Sequence, residues 1–244
     1  MGEPDPAAVR AEGMTEPLTQ VRRIAVLHHG AESTARTVDA HAALVAGDDV
    51  SAAIASTEAL ESACEAALSA AGHTRAEDQP LVRRLSRNRV TAPWCDLVSR
   101  LVRQVVPFTG PVREVAEERL RVAGLLLSWC AVEGWDAPLS ELPAPPESVS
   151  GDGPRRSPFF TPVRLRNGWV LIGRGFDVEV SERALRLWRE LDGRPLAEVL
   201  APLRERLEDS LATVSWLVRR GVVESRAPER VGLTPRTAAR ALPC

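Results

Sequence analysis

The sequence predicts an α+β protein in two parts: a mainly helical N-terminal domain, then a small winged-helix-like domain of three antiparallel strands and three helices. Three observations carry this. Apolar residues recur at helical spacing through the first half. A stretch from 137 to 158, with six prolines, interrupts all periodicity. After it, alternating strand-like residues give way to three short amphipathic helices. With 244 residues, 44% of them hydrophobic, the chain can build one large core or two small ones.

The predicted order is a flexible N-terminus over residues 1–19, the helical domain over 20–136, a Pro-rich linker over 137–157, the compact domain over 158–224, and a flexible tail over 225–244. The first 17 residues, "MGEPDPAAVRAEGMTEP", are acidic and proline-spaced, unlike the basic-then-apolar order of an export signal. "RRIAVLHHG" then holds a short apolar run that reads as a strand, with Ser33 or Thr34 capping a helix through Val38, Leu44 and Val45. Leu60, Cys64 and Leu68, in an Ala-rich stretch, predict a helix that ends at Gly72. Val98, Leu101, Val102 and Val105 predict another, stopped by Pro107. Pro111 opens the next, which carries Val115, Val122, Leu125, Leu126 and Trp129 to Gly134.

In the C-terminal part, Asn167-Gly168 predicts a hairpin, because a type I′ turn needs positive φ at both central positions. Gly173-Arg174-Gly175 supplies a second turn. Phe176, Val178 and Val180 then alternate with Asp177 and Glu179 as a third, half-buried strand. Ser181 caps a helix with Ala184, Leu187, Trp188 and Leu191 on its apolar face, ended by Gly193. Pro195 starts a second, with Leu196, Val199, Leu200 and Leu203, which Pro202 shortens or kinks. A third carries Leu211, Val214, Leu217 and Val218 to Gly221, with Val222 and Val223 beyond.

Composition excludes several functions. Net charge is -2 and the pI about 6.2, so no whole-chain basic field exists to neutralise nucleic-acid phosphates. All 31 basic residues are arginine, which matches GC-rich codon usage better than a chemical demand. The tail from 225 holds four Arg against one Glu, a net +3, but its prolines mark a solvated end. Cys64, Cys95, Cys130 and Cys244 form no C-x-x-C pair, so neither a zinc site nor a disulfide framework is expected, and the setting is cytoplasmic. No apolar run is long enough to cross a membrane.

No catalytic residue, metal site or cofactor is predicted. Phosphate-binding glycine loops, nucleophile elbows and cysteine clusters are all missing from the sequence. His28 and His29, with Asp39 and His41 nearby, are the candidate ligands or proton carriers, against the simpler reading of surface histidines. Cys64 and Cys130 read as core. Cys95 follows Trp94 at a helix start with no His close in sequence to act as base.

Over residues 162–224 the chain resembles the PqqD-like domain, also called the RiPP recognition element, of pathways that modify ribosomally made peptides. The resemblance rests on "VEVSERALRLWRELDGRPLAEVLAPL", where a strand leads into a helix ending in Leu-x-Gly, and on "LATVSWLVRRGVVE", a helix ending in Arg-Gly before two apolar residues. It implies that a precursor's leader peptide adds as a strand beside Phe176, Asp177, Val178, Glu179 and Val180. The facing helix would present some of Thr213, Val214, Trp216, Leu217 and Arg220. It also implies a separate modifying enzyme as a second partner.

The residues themselves leave other roles open: Phe176, Val178 and Leu217 as core, Trp216 as core or rim, and Arg219 and Arg220 as complements of a helix dipole. Two other functions also stay open. One is a peptide-modifying enzyme with a fused recognition domain. The other is a winged-helix DNA-binding regulator, which eleven Arg against ten acids over 162–224, and Glu208-Asp209 at the start of the last helix, disfavour.

Overall fold

The computed structural model describes residues 6–73, 79–104, 111–145, 151–173, 175–202 and 207–225. Its architecture is α+β, with eight α-helices, a three-stranded antiparallel sheet and a two-stranded ribbon among the described residues. Among these residues no helix is long and apolar enough to cross a membrane.

Helices α1 (Pro6–Ala46) and α2 (Asp49–Ala70) form a long hairpin. Gly47 makes the bend at φ 74°, and Asp48 caps α2 by accepting the Ser51 N–H at 3.0 Å. The buried face of α2 is mostly alanine: Ala52, Ala55, Ala59, Ala63, Ala66, Ala67 and Ala70. Such small side chains let neighbouring backbones come close. At the far end a Cβ on Gly134 would sit 2.9 Å from that of Ala70, so only glycine fits where α5 (Val112–Asp136) meets α2. The short α3 (Leu81–Arg87), a 3₁₀ turn at Ala92–Trp94 and α4 (Cys95–Arg103) close this core, with Leu85, Trp94, Val98 and Leu101 fully buried. Arg119 on α5 is buried too, its guanidinium donating to the carbonyls of Leu101, Gln104 and Ala53 at 2.9 to 3.1 Å.

Several expectations in this half are corrected. "RRIAVLHHG" is not a strand but the middle of α1, which begins at Pro6, inside the stretch expected to be flexible. Ser33 and Thr34 therefore cap nothing. The Ser33 hydroxyl donates across to the Ala59 carbonyl and the Thr34 hydroxyl back to that of Gly30, each at 2.8 Å. Packing along α2 outweighs the β preference of a short Ile/Val run. The Pro-rich segment is no free spacer either: Leu139 and Leu142 are buried, the Leu139 N–H donates to Ala70 O at 2.8 Å, and Pro143 O accepts the Trp94 indole at 2.8 Å. Val105 and Pro107 lie outside the described residues.

The C-terminal part starts earlier than residue 158. Strand β1 (Arg155–Arg156) pairs antiparallel with β5 (Val223–Glu224), joining both ends of the unit. Between them, β2 (Thr161–Leu165), β3 (Gly168–Gly173) and β4 (Phe176–Val180) form the sheet in that order. The first hairpin is closed by Leu165 opposite Gly168, so its loop is Arg166–Asn167 and the turn sits one residue earlier than Asn167-Gly168 predicts. Gly168 is the first residue of β3 and has no positive φ. The second turn stands as expected, with Gly175 at φ 80°; Arg174 lies outside the described residues.

Three helices follow: α6 (Glu182–Glu190), α7 (Leu196–Leu200) and α8 (Leu207–Arg219). Ser181 caps α6, accepting the Ala184 N–H at 3.2 Å. Ala184, Leu187, Trp188 and Leu191 are buried as their spacing predicts. They share a core with Phe160, Leu171, Val178, Val180, Val199, Leu200, Val214, Leu217 and Val222. The Trp188 indole donates to Val222 O at 2.9 Å, which closes the unit around one ring. Leu203 lies outside the described residues.

Candidate functional site

A three-stranded sheet has two edges, and the fold treats them differently. Strand β2 is laid against α5 and α1. There the Thr161 hydroxyl donates to that of Thr34 at 2.9 Å, and Pro162, which has no N–H, occupies a position that a central strand would not tolerate. Strand β4 is bonded to β3 in the register Trp169–Val180 through Gly173–Phe176. Among the described residues no backbone group other than those of β3 pairs with Phe176–Val180. Its outer row of N–H and C=O groups is thus a template for an added strand.

Several contacts hold this edge in place. The indole of Trp169, at the start of β3, donates to Ala131 O on α5 at 3.3 Å, and the Arg164 guanidinium lies 4.0 Å from its ring centre. Glu133 of α5 takes ion pairs from both Arg186 and Arg189 of α6, the second at 2.7 Å, and Arg189 also lies 3.5 Å over the Trp129 ring. Glu224 joins Arg121 of α5 to Arg155 of β1 at 3.3 and 3.1 Å. Arg156 is wholly enclosed, its guanidinium donating to the Arg189 carbonyl, and burial lowers its pKa to about 10. None of these tethers is legible in the sequence, because each joins residues far apart along it. An isolated Glu133 or Arg156 carries no periodic signal.

The residues expected to touch a peptide divide into two groups. Val178, Val180 and Leu217, together with Val214, come together in the core and are at most 8% exposed. Their side chains are unavailable to a ligand, and this corrects their expected place in a binding surface; only the backbone of Val178 and Val180 can take part. Phe176 departs the other way: it is 45% exposed, held by an edge-to-face contact with Phe160 at 5.4 Å. It closes the hairpin opposite Gly173, which leaves its ring at the end of the sheet.

Asp177 and Glu179 are exposed on the opposite face of β4 from Val178 and Val180. On α8, Thr213 is half-buried, with its hydroxyl donating to Asp209 O at 2.8 Å. Trp216 is half-buried against the core, and Arg220, exposed, lies 5.6 Å from its ring centre. Helix α6 touches β3, β4 and α8, and Val178 and Val180 share a core with Val214 and Leu217 of α8. The site is therefore an open strand edge with two carboxylates, and a separate aromatic and cationic strip on α8.

The histidines lie elsewhere. His28 and His29 are neighbours on α1, and Glu32 is 3.5 Å from the first and 3.3 Å from the second. The ligand atoms of these three lie within 4.8 Å of one another, the one such group among the described residues. Asp39 is paired with Arg36 at 3.4 Å and His41 makes a tilted ring contact with Phe159, centroids 4.4 Å apart, so neither joins that group. Burial raises the pKa of Cys130 to about 12 and pushes that of Cys64 higher still, which keeps both as neutral core thiols.

No family model matches the chain, and no curated protein or solved structure is detectably similar to it.

Proposed function

We propose that this protein binds the leader region of a ribosomally synthesised precursor peptide as a fourth strand on β4 and presents it to a separate modifying enzyme in the cytosol. The observation that carries this reading is the outer edge of β4, free of backbone partners among the described residues while β2 is covered by helices. Main-chain hydrogen bonds along that edge would supply affinity, and side chains beside it selectivity. Asp177 and Glu179 favour basic residues in the incoming chain, whereas Arg220 beside Trp216 favours an acidic or aromatic one. The order of three strands and three helices agrees with the resemblance drawn from residues 162–224.

The test is fluorescence polarisation of labelled leader peptides encoded near the gene, titrated with the full chain. Saturable binding is expected. It should fall about tenfold or more in an Asp177→Lys, Glu179→Lys double variant, whose changes touch only exposed positions. A peptide N-methylated at alternate residues loses the donors that strand pairing needs and should not bind. Binding that survives N-methylation in both alternations would exclude strand addition, and no saturable binding by any such leader would overturn the proposal.

A further inference from the structure

Helix α1 has two faces. Toward the interior, Val26, Ser33, Thr37, Ala40 and Leu44 are buried. On the solvent side lie Val21, Ile24, His28, Ala31, Ala35, Val38, Ala42 and Val45, all exposed. Their spacing alternates strictly between three and four residues across the whole row, and seven of the eight are apolar. Ile24 is 58% exposed and Val45 73%, values that a soluble helix does not ordinarily leave to water over such a length.

The period says what shape covers this row. A strict seven-residue repeat drifts by about 20° per heptad on a straight helix, so it suits a second helix supercoiled around the first and not a flat surface. A helix of matching length and repeat is α1 itself. Over residues 21–45 the seam is about 36 Å long, and pairing two copies along it would remove on the order of 1,500 Å² from water, the size of an ordinary stable interface.

The flanks select the second copy and its direction. On one side of the seam stand Glu32 and Asp39, with Glu58 and Glu61 of α2 beside them, against Arg36 alone. Burial and then the neighbouring Glu58 carboxylate raise the pKa of Glu61, as expected of crowded acids. On the other side Leu27 and Ala31 share a hollow with Arg164 of β2. In a parallel pair each flank faces the opposite flank of its mate, so Arg164 meets the acidic side of the second copy; an antiparallel pair sets acid against acid. We infer that the chain forms a parallel, two-fold homodimer through the outer seam of α1, with His28 as the polar residue that sets its register.

Sedimentation velocity of the full chain across roughly 1 to 100 µM should show a species of twice 26.5 kDa. Ile24→Glu with Val38→Glu should weaken the pair at least about a hundredfold. The far-UV spectrum and melting curve at low concentration should not change, since both residues are exposed. Glu32→Arg should weaken it and Arg164→Glu in the same chain restore it. In a chain with Cys244→Ser, Ile24→Cys should give a covalent dimer under a mild oxidant, because like meets like only in the parallel register. A monomer at the highest concentration, or a dimer that survives the two Glu substitutions, would overturn the seam. A dimer that does not cross-link through position 24 would overturn the parallel register.

Discussion

The two halves of the molecule are left incomplete in opposite ways. In the helical half α1 is a continuous α-helix, whose interior backbone groups pair within it, yet a row of apolar side chains faces water. In the sheet half the largest core side chains are enclosed, Trp188 and Phe160 at 1% exposure, yet the backbone of β4 has a row unpaired among the described residues. A helix closes its own hydrogen bonds, so what it can lack is cover for a stripe. A strand borrows its bonds from neighbours, so what an edge strand lacks is a partner chain. The first half thus offers a surface to a helix, the second to an extended peptide.

The cores differ in the same spirit. The helical half packs an alanine-rich face of α2 into tight backbone approach, with Leu85, Trp94 and Leu101 closing its core, whereas the sheet core gathers bulky side chains around one tryptophan. Removing that ring is the strongest way to break the comparison. Trp188→Ala is expected to cost about 3–5 kcal/mol and to lose the indole bond to Val222 O. In a thermal melt it should unfold the sheet half while most of the helical signal persists.

Glu133→Ala tests how firmly the halves are joined. It strips Arg189, 7% exposed, of its nearer carboxylate, leaving Glu190 at 3.5 Å, and is expected to cost about 3 kcal/mol. A double-mutant cycle with Arg189→Met should recover most of that loss, since the buried charge goes with its partner.

Alkali should weaken the helical half first. Cys64 and Cys130 have folded pKa values raised above the ordinary 9.0 by burial, so between the two values the folded chain holds more protons than the unfolded one. Stability contributed by the neutral thiols is complete below pH 9 and falls as pH rises above it, by up to about 1.4 kcal/mol per unit for each thiol. Urea midpoints at pH 8 and 10 will measure it, and Cys64→Ala should flatten the slope. The smallest effect is at the sheet side: Ser181→Ala removes the α6 cap and should cost about 1 kcal/mol without moving the alkaline slope.

Much of the fold was legible because local signals agreed with tertiary ones. Ser181 as cap, the Ala184 to Leu191 stripe, the Phe176–Val180 alternation and the Ala-rich helix ending before Gly72 are each specified within a few residues. The candidate edge was legible as a strand but not as an edge. Its side chains were misjudged where burial depends on α6 and α8: the pattern places Phe176 with Val178 and Val180, but Phe176 lies at the end of the hairpin, past the helices that cover the other two. The Ile/Val run in α1 misled for a related reason. Its apolar residues are split between an inner face on α2 and an outer seam, and within nine residues those two rows look like a strand.

From its residues alone this chain settles its class, the order of its C-terminal elements and the positions of its turns to within one residue, because propensity, capping and periodicity act over short distances. Contacts between distant segments decide the rest. The ion pairs of Glu133, the pairing of Arg155–Arg156 with Val223–Glu224, and the burial of β2 under α1 and α5 appear only when the chain has closed on itself. They determine that β4 is the sheet edge left open among the described residues and that the outer seam of α1 faces solvent. A sequence pattern can mark a row of residues as one face, but only the arrangement of neighbours says whether anything covers it.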